Sequence, residues 1–353
     1  MPPLPAKASF GVNTGTPNNA SNPGRASTEV ITGTSTVTSH APYASKALDP
    51  LVTIDRSSLQ RVIAVINGKG GVQKTTLVAN IGGLYAGSGY HCLLVDLDPQ
   101  GNLAEDLGYT DTDNDDSGKA LAGALAFGGT PTPVTVRPNL DVLVGGYHLN
   151  AAAAALTNMA SRDSRAARLA LAEILTPLAA NYDIILIDCP PGNEPLQAAA
   201  VAAARWAVVP VRTDQSSRKG LLEVARRLDD VMDVNPGLDL LGVVLVGVGS
   251  SAHRIKQTAR DLISEALGGD QRIFTASIRH SEATAQAARE KGLLVHELDE
   301  QVRQGPSWWQ IRRGESSGGN AGPRTAQSVA DDLQALAKEI VDSITVAEEG
   351  VPV

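Results

Sequence analysis

The chain has 353 residues, a formal net charge of −8, 42% hydrophobic residues and only 3% aromatics. That length and apolar share suit one large α/β domain or two small ones with a substantial core, and the acidic balance argues against a protein that coats nucleic acid with its whole surface. No apolar run approaches a bilayer span and no basic leader precedes an apolar core, while the two cysteines, Cys92 and Cys189, fall inside apolar runs as reduced core residues, so a cytoplasmic protein is expected.

Residues 1–55 are rich in Ser, Thr, Asn, Pro, Gly and Ala, carry few charges and keep no period of 2 or 3.6. They read as a disordered tail without a helix-turn-helix pattern, serving as a spacer or as a short partner-binding element. Residues 56–346 form the main body, and 347–353 an acidic C-terminal tail.

The body opens on an apolar strand, Arg61 to Asn67, followed at once by Gly68-Lys69-Gly70-Gly71-Val72-Gln73-Lys74-Thr75-Thr76. A Gly-rich turn between a strand and a helix lets successive backbone N–H groups face phosphate oxygens, and the positive end of the helix beginning near Thr75 adds to them. Lys74 supplies a point charge for the β- and γ-phosphates, and the Thr75 hydroxyl can ligate Mg²⁺. Gln73 stands where glycine usually precedes the lysine, so a side chain must be accommodated at the helix entrance.

After this helix, Gly87 and Gly89 interrupt the pattern, and His91 to Asp98 reads as a buried strand ending in the carboxylates Asp96 and Asp98. With a period of 2, both lie on one side of the chain, near the phosphate site. The acidic Thr110 to Ser117 run reads as a solvated loop. Further strands are expected at Leu140–Val144, Tyr182–Asp188, Trp206–Arg212, Leu240–Val248 and Arg272–Ile278. Helices are expected at Asn150–Met159, Ala166–Ala180, Pro195–Arg205, Lys219–Met232, His253–Leu267 and Thr325–Ile344. Asp188 ends an apolar strand as a Walker B carboxylate does, placed to hold Mg²⁺ through its water shell. Residues 304–324, with Trp308-Trp309 and Arg312-Arg313, read as a loop insertion that forms a surface loop or a contact site. The alternation predicts an α/β fold with a doubly wound, mostly parallel sheet, helices on both faces and ligands at the carboxyl ends of the strands.

These motifs resemble the ParA/MinD family of deviant Walker A ATPases, closest to the ParA/Soj-type partition ATPases. The KGGxxKT box with its second lysine, Asp96-Leu97-Asp98-Pro99-Gln100-Gly101-Asn102 as a DxDPQGN box, and Asp188 followed by Pro190-Pro191 carry the resemblance. It extends from about Arg61 to Glu297 and resumes in the last helix. Val209-Pro210-Val211 with Gly220-Leu221, and more loosely Ile278-Arg279-His280-Ser281-Glu282-Ala283, extend it.

The resemblance implies a P-loop fold that uses ATP and Mg²⁺. Lys69 is implied to reach across a nucleotide-sandwich homodimer, Asp98 to position the attacking water, and Asp96 to help organise the metal. It further implies nonspecific, nucleoid-associated DNA binding by the ATP dimer, and release through hydrolysis stimulated by a ParB-like or adaptor partner. Arg254, Lys256, Arg260 and Arg279, followed by Arg289 and Lys291, are the basic candidates for DNA. Intrinsic turnover is expected to be slow, because no built-in arginine is evident in the sequence. An iron–sulfur carrier would need clustered cysteines, which the sequence lacks, and a MinD-like membrane cycle would need a basic amphipathic terminal helix, against which the acidic tail argues. The alternatives are a MinD-like positioning ATPase acting at a membrane and a nucleotide-binding scaffold with little hydrolysis.

Overall fold

The computed structural model describes residues 54–213, 217–249, 253–305, 313 and 322–350. The expected tail up to residue 53 and most of the 304–324 stretch, with Trp308 and Trp309, lie outside the described residues.

Short runs of Val, Ile, Leu and Ala form strands here because both sheet faces are covered, so neither face calls for polar alternation. The strands are β1 (Val62–Val65), β2 (Cys92–Asp96), β3 (Val134–Arg137), β4 (Leu140–Leu143), β5 (Ile184–Asp188), β6 (Trp206–Arg212), β7 (Asp239–Val248) and β8 (Ile273–Arg279). They form one eight-stranded sheet in the order β3-β4-β2-β5-β1-β6-β7-β8. Every pairing is parallel except that of β3, which runs antiparallel to β4 at the edge.

The helices are α1 (Lys74–Gly87), α2 (Asn102–Leu107), α3 (Lys119–Phe127), α4 (Leu149–Ala160), α5 (Ser164–Leu178), α6 (Glu194–Ala203), α7 (Ser217–Asp229), α8 (His253–Leu267), α9 (Glu282–Lys291), α10 (Val295–Gln304) and α11 (Ala326–Glu348). Period-2 geometry divides the strand side chains between two cores. Val62, Ala64, Leu93, Val95, Ile185 and Ile187 face a core built with α3 to α8. Ile63, Val65, Cys92, Leu94, Ile184 and Leu186 face a second core built with α1, α2 and α9 to α11. Both cysteines are buried and unbridged.

The doubly wound parallel architecture is thus as the sequence implied, and the differences are local. β3 follows Thr130-Pro131-Thr132-Pro133, whose prolines read as loop; only its pairing with β4 makes the segment a strand. α2 and α3 flank the acidic loop, and their short Gly-bounded stretches show too few turns for a period to be read. α9 is capped by Ser281, which accepts from the Thr284 N–H at 3.4 Å, and α10 follows directly after Gly292. α11 runs past the expected end at Ile344 to Glu348, which forms a two-pronged ion pair with buried Arg61 at 2.7 and 2.8 Å. That pair ties the last turn of the chain's final helix to the entry of the first strand. Among the described residues, no helix is long and apolar enough to cross a membrane.

Candidate active site

β2, β5 and β1 are adjacent, and their carboxyl ends set the candidate residues side by side. Asp96 and Asp188 are register partners on β2 and β5, and Val65, just before the loop, is level with Asp188 across β1. The loop leaves β1 through Asn67, whose side chain donates to the Pro210 carbonyl at 2.8 Å and accepts from the Lys69 N–H at 2.9 Å. Asn67 therefore ties the loop's first turn to β6.

Gly71 and Gln73 both have positive φ, 71° and 61°. Gly71 meets this at no steric cost, whereas Gln73 is a non-glycine residue in the left-handed region at the entrance of α1. The Gln73 Oε1 is buried without a hydrogen-bond partner. Lys74 is 6% exposed, and its ammonium donates to the Lys69 carbonyl at 3.1 Å. Burial pulls its pKa down, opposed by Asp188, Cys189 and Asp98.

Asp96 is fully buried; its Oδ1 accepts from the Asp98 N–H at 2.8 Å, while its Oδ2 has no partner. Burial, then the neighbouring Asp188, raise its pKa well above the carboxylate range. Asp188 is 1% exposed and neither carboxylate oxygen accepts a hydrogen bond of normal geometry. Burial raises its pKa to about 7, with Thr75 and Lys74 holding it lower than it would otherwise stand. Asp98 is also buried; it accepts from the Gln100 N–H at 2.9 Å and lines a cleft of about 720 Å³ with Gln100, Asn150, Pro190 and Glu194.

These orphaned buried oxygens fit a hard cation, with the Thr75 hydroxyl beside them. Among the described residues no group of three or more His, Cys, Asp or Glu forms a metal cage. The set suits a cation that takes most of its ligands from water and phosphate, as Mg²⁺ does. The cradle, the buried Lys74 and the carboxylates on two neighbouring strands make a site for a metal-bound polyphosphate.

Three further residues shape the site and carry no motif. Gly145, just beyond β4, lies so close to the Asp96 carboxylate that any Cβ there would collide with it. Asp106 on α2 accepts from Thr76 Oγ1 at 3.2 Å and from Arg289 at 2.9 Å, joining the loop's second threonine to α9. Arg212, at the end of β6, makes a long hydrogen bond of 3.5 Å to the Gly71 carbonyl. A cationic side chain does therefore stand at the loop. Pairing of β6 with β1 brings it there across 141 residues of sequence, so no local pattern marks it.

The basic candidates lie on α8, β8 and α9. Arg254 is exposed on α8, but Lys256 donates to Ser277 Oγ at 2.7 Å and Arg260 to the Phe274 carbonyl at 2.8 Å. Arg279 is held by Asp332 at 2.7 and 2.8 Å, and Lys291 donates to Gln301 at 2.8 Å.

Comparison with known proteins gives matches over the same region. Residues 60–240 match the AAA domain family. The chromosome partitioning protein ParA of Caulobacter vibrioides is 33% identical over 248 residues, covering 67% of this chain and 88% of that protein. The sporulation initiation inhibitor protein Soj of Bacillus subtilis is 34% identical over 231 residues, covering 63% and 87%. Among solved structures, cobyrinic acid a,c-diamide synthase from Mycobacterium smegmatis with bound ADP and magnesium is similar with a TM-score of 0.54 and 30% identity, over 70% of this chain and 96% of that one.

Proposed function

The chain belongs to the ParA/MinD family of ATPases, and from that premise we propose that it is a partition-type ATPase that binds Mg-ATP, dimerises on it, holds DNA without reading sequence and is released by partner-stimulated hydrolysis. The observation that carries the reading is the group of buried carboxylate oxygens on Asp96 and Asp188 that lack partners beside the buried Lys74. In a dry site such oxygens are costly unless a ligand supplies the missing charge.

In this reading Lys74 and the loop N–H groups hold the β- and γ-phosphates, while Thr75, Asp188 and Asp96 organise Mg²⁺ and its waters. Bound Mg²⁺ supplies charge neutralisation across the phosphate oxygens. Asp98, which lines the cleft, orients a water. Lys69 serves a second copy of the chain, and a ParB-like or adaptor protein completes the stimulated state. α11 buries its apolar side in the core, which leaves it unavailable for lying on a bilayer as a MinD-like cycle requires.

The test is retention of random-sequence duplex DNA with and without Mg-ATP over a salt series, using wild type, Asp98→Ala and the double variant Arg254→Ala/Lys256→Ala. ATP-dependent retention that falls steeply with salt is expected, with a shallower slope for the double variant and an ATP-bound dimer accumulating for Asp98→Ala. Equal retention with and without ATP, or none at low salt, refutes the DNA-carrier function and leaves the nucleotide-binding scaffold.

A further inference from the structure

Asp106 lies near the end of α2 and is 8% exposed, so its carboxylate is paired inside the protein rather than by bulk water. One oxygen accepts from Thr76 Oγ1, in the first turn of α1, at 3.2 Å; the other accepts from the Arg289 guanidinium on α9 at 2.9 Å. Close backbone packing fixes this meeting across 183 residues of sequence. Gly108 and Gly292 end α2 and α9 with positive φ, and a Cβ on Gly108 would lie 2.9 Å from the Gly292 Cα. Arg137 then donates to the Leu107 and Gly292 carbonyls, at 3.0 Å each, and clamps the two helix ends together.

Thr76 follows Thr75 directly, so its hydroxyl belongs to the helix N-terminus that meets the phosphates in the proposed reading. No side chain caps that terminus, and its first turn carries no acidic residue. Asp106 therefore brings a negative charge to an anion site from another helix. It also takes the one proton of the Thr76 hydroxyl, which leaves only lone pairs for a ligand. The charge is felt at the metal carboxylates: burial first, then Asp98 and Asp106, raise the Asp188 pKa. Burial raises the pKa of Asp106 itself, and Arg289 does most to hold it down. Arg289 is half-exposed and lies 3.4 Å from Glu105 as well, so it has a second carboxylate to turn to when it leaves Asp106.

We infer that Asp106 and Arg289 are a positioning pair that sets the nucleotide affinity of this site through Thr76. With Arg289 in place the carboxylate is neutralised and the loop accepts phosphate; with Arg289 withdrawn, the bare charge opposes it. The inference rests on the reading of the loop as a nucleotide site. Because the pair acts on the phosphates through charge and the Thr76 hydroxyl, it changes ADP and ATP binding alike and does not accelerate the chemical step.

The test is calorimetric titration at pH 8 with Mg-ADP and with inorganic tripolyphosphate, which has no nucleoside. It compares wild type, Asp106→Asn, Arg289→Ala, Arg289→Lys and the double variant Asp106→Asn/Arg289→Ala, with urea midpoints taken to show that each is folded. An asparagine amide is uncharged and donates to Thr76, so Asp106→Asn should bind both ligands about tenfold tighter. Arg289→Ala should bind both about tenfold weaker, and Arg289→Lys close to wild type. The double variant should match Asp106→Asn, because no carboxylate is left to neutralise. Shifts of the same sign in the two single variants, or unchanged affinities in folded proteins, overturn the inference and leave the pair a structural link between α2 and α9. An equal loss from Arg289→Ala in both backgrounds also overturns it, making Arg289 a direct ligand contact, as does a shift for ADP alone, which places the effect at the nucleoside. A wild-type protein that binds neither ligand overturns the nucleotide site itself, and the inference with it.

Discussion

Lys74 donates its ammonium to the backbone carbonyl of Lys69 at 3.1 Å, so the loop's two lysines are joined, one through its side chain and the other through its main chain. The geometry separates their roles: Lys74 is committed to the interior of the loop, while the Lys69 side chain takes no part in this contact.

Lys74→Ala should therefore lower ATP affinity by about 100-fold or more, the loss of a charge-assisted contact at several phosphate oxygens. Lys69→Ala should bind ATP within a few-fold of wild type yet fail to dimerise or turn over. Calorimetry and light scattering check both. A Lys69→Ala protein that dimerises and hydrolyses ATP normally rules out action across a dimer.

Asp188 gives a prediction opposite in sign to that for most carboxylates. Its pKa is raised from 3.8 to about 7 in the folded protein, so the native state binds more protons than the unfolded chain between those values. Without ligand, this contribution to stability is least unfavourable near pH 4, worsens as pH rises, and levels off above about pH 7. Asp188→Asn, measured by urea unfolding in EDTA without nucleotide, should be more stable than wild type by on the order of 2–4 kcal/mol at pH 8 and by much less at pH 4. The same variant should lose Mg-dependent nucleotide binding. A pH-independent difference would show that the carboxylate is not held in the costly state inferred here.

Gln73 holds a left-handed backbone conformation, and its Oε1 is buried without a partner. Each feature costs on the order of 1 kcal/mol, offset in part by the extra freedom of glycine in the unfolded chain. Gln73→Gly should raise the urea midpoint by an amount equivalent to about 1 kcal/mol at unchanged slope. A lower midpoint would show that the Gln73 side chain supports the entrance of α1 through its packing.

Glu348 neutralises an Arg61 side chain that is only 4% exposed. Glu348→Ala leaves that guanidinium desolvated without its carboxylate and should cost about 2–3 kcal/mol. The exposed pair Lys338–Asp342 on the same helix provides the contrast, and Asp342→Ala should change stability by less than about 0.5 kcal/mol. Equal effects of the two substitutions in urea unfolding would refute a structural role for the last turn of α11.

The fold class, the Gly-rich strand-to-helix turn and the strand-end carboxylates were legible in the sequence because each rests on local chemistry. Gly68 to Thr76 must form a strand-to-helix turn, and a strand ending at Asp188 places its carboxylate at the end of the sheet by period alone. Contacts between distant segments have no local pattern. Arg212 reaches Gly71, Gly145 closes on Asp96, Asp106 joins Thr76 to Arg289, and Glu348 meets Arg61 only because strand order and helix packing bring them together. The charged residues of α8 and β8 teach the converse. Counted along the chain they suggest a basic patch, and folding pairs Arg279 with the Asp332 carboxylate, whereas Lys256 and Arg260 bond neutral oxygens and keep their charge. Residue type and spacing thus determined which chemistry this chain can carry out, and tertiary structure decided which charges remain available for it, since burial and pairing are properties of neighbours in space.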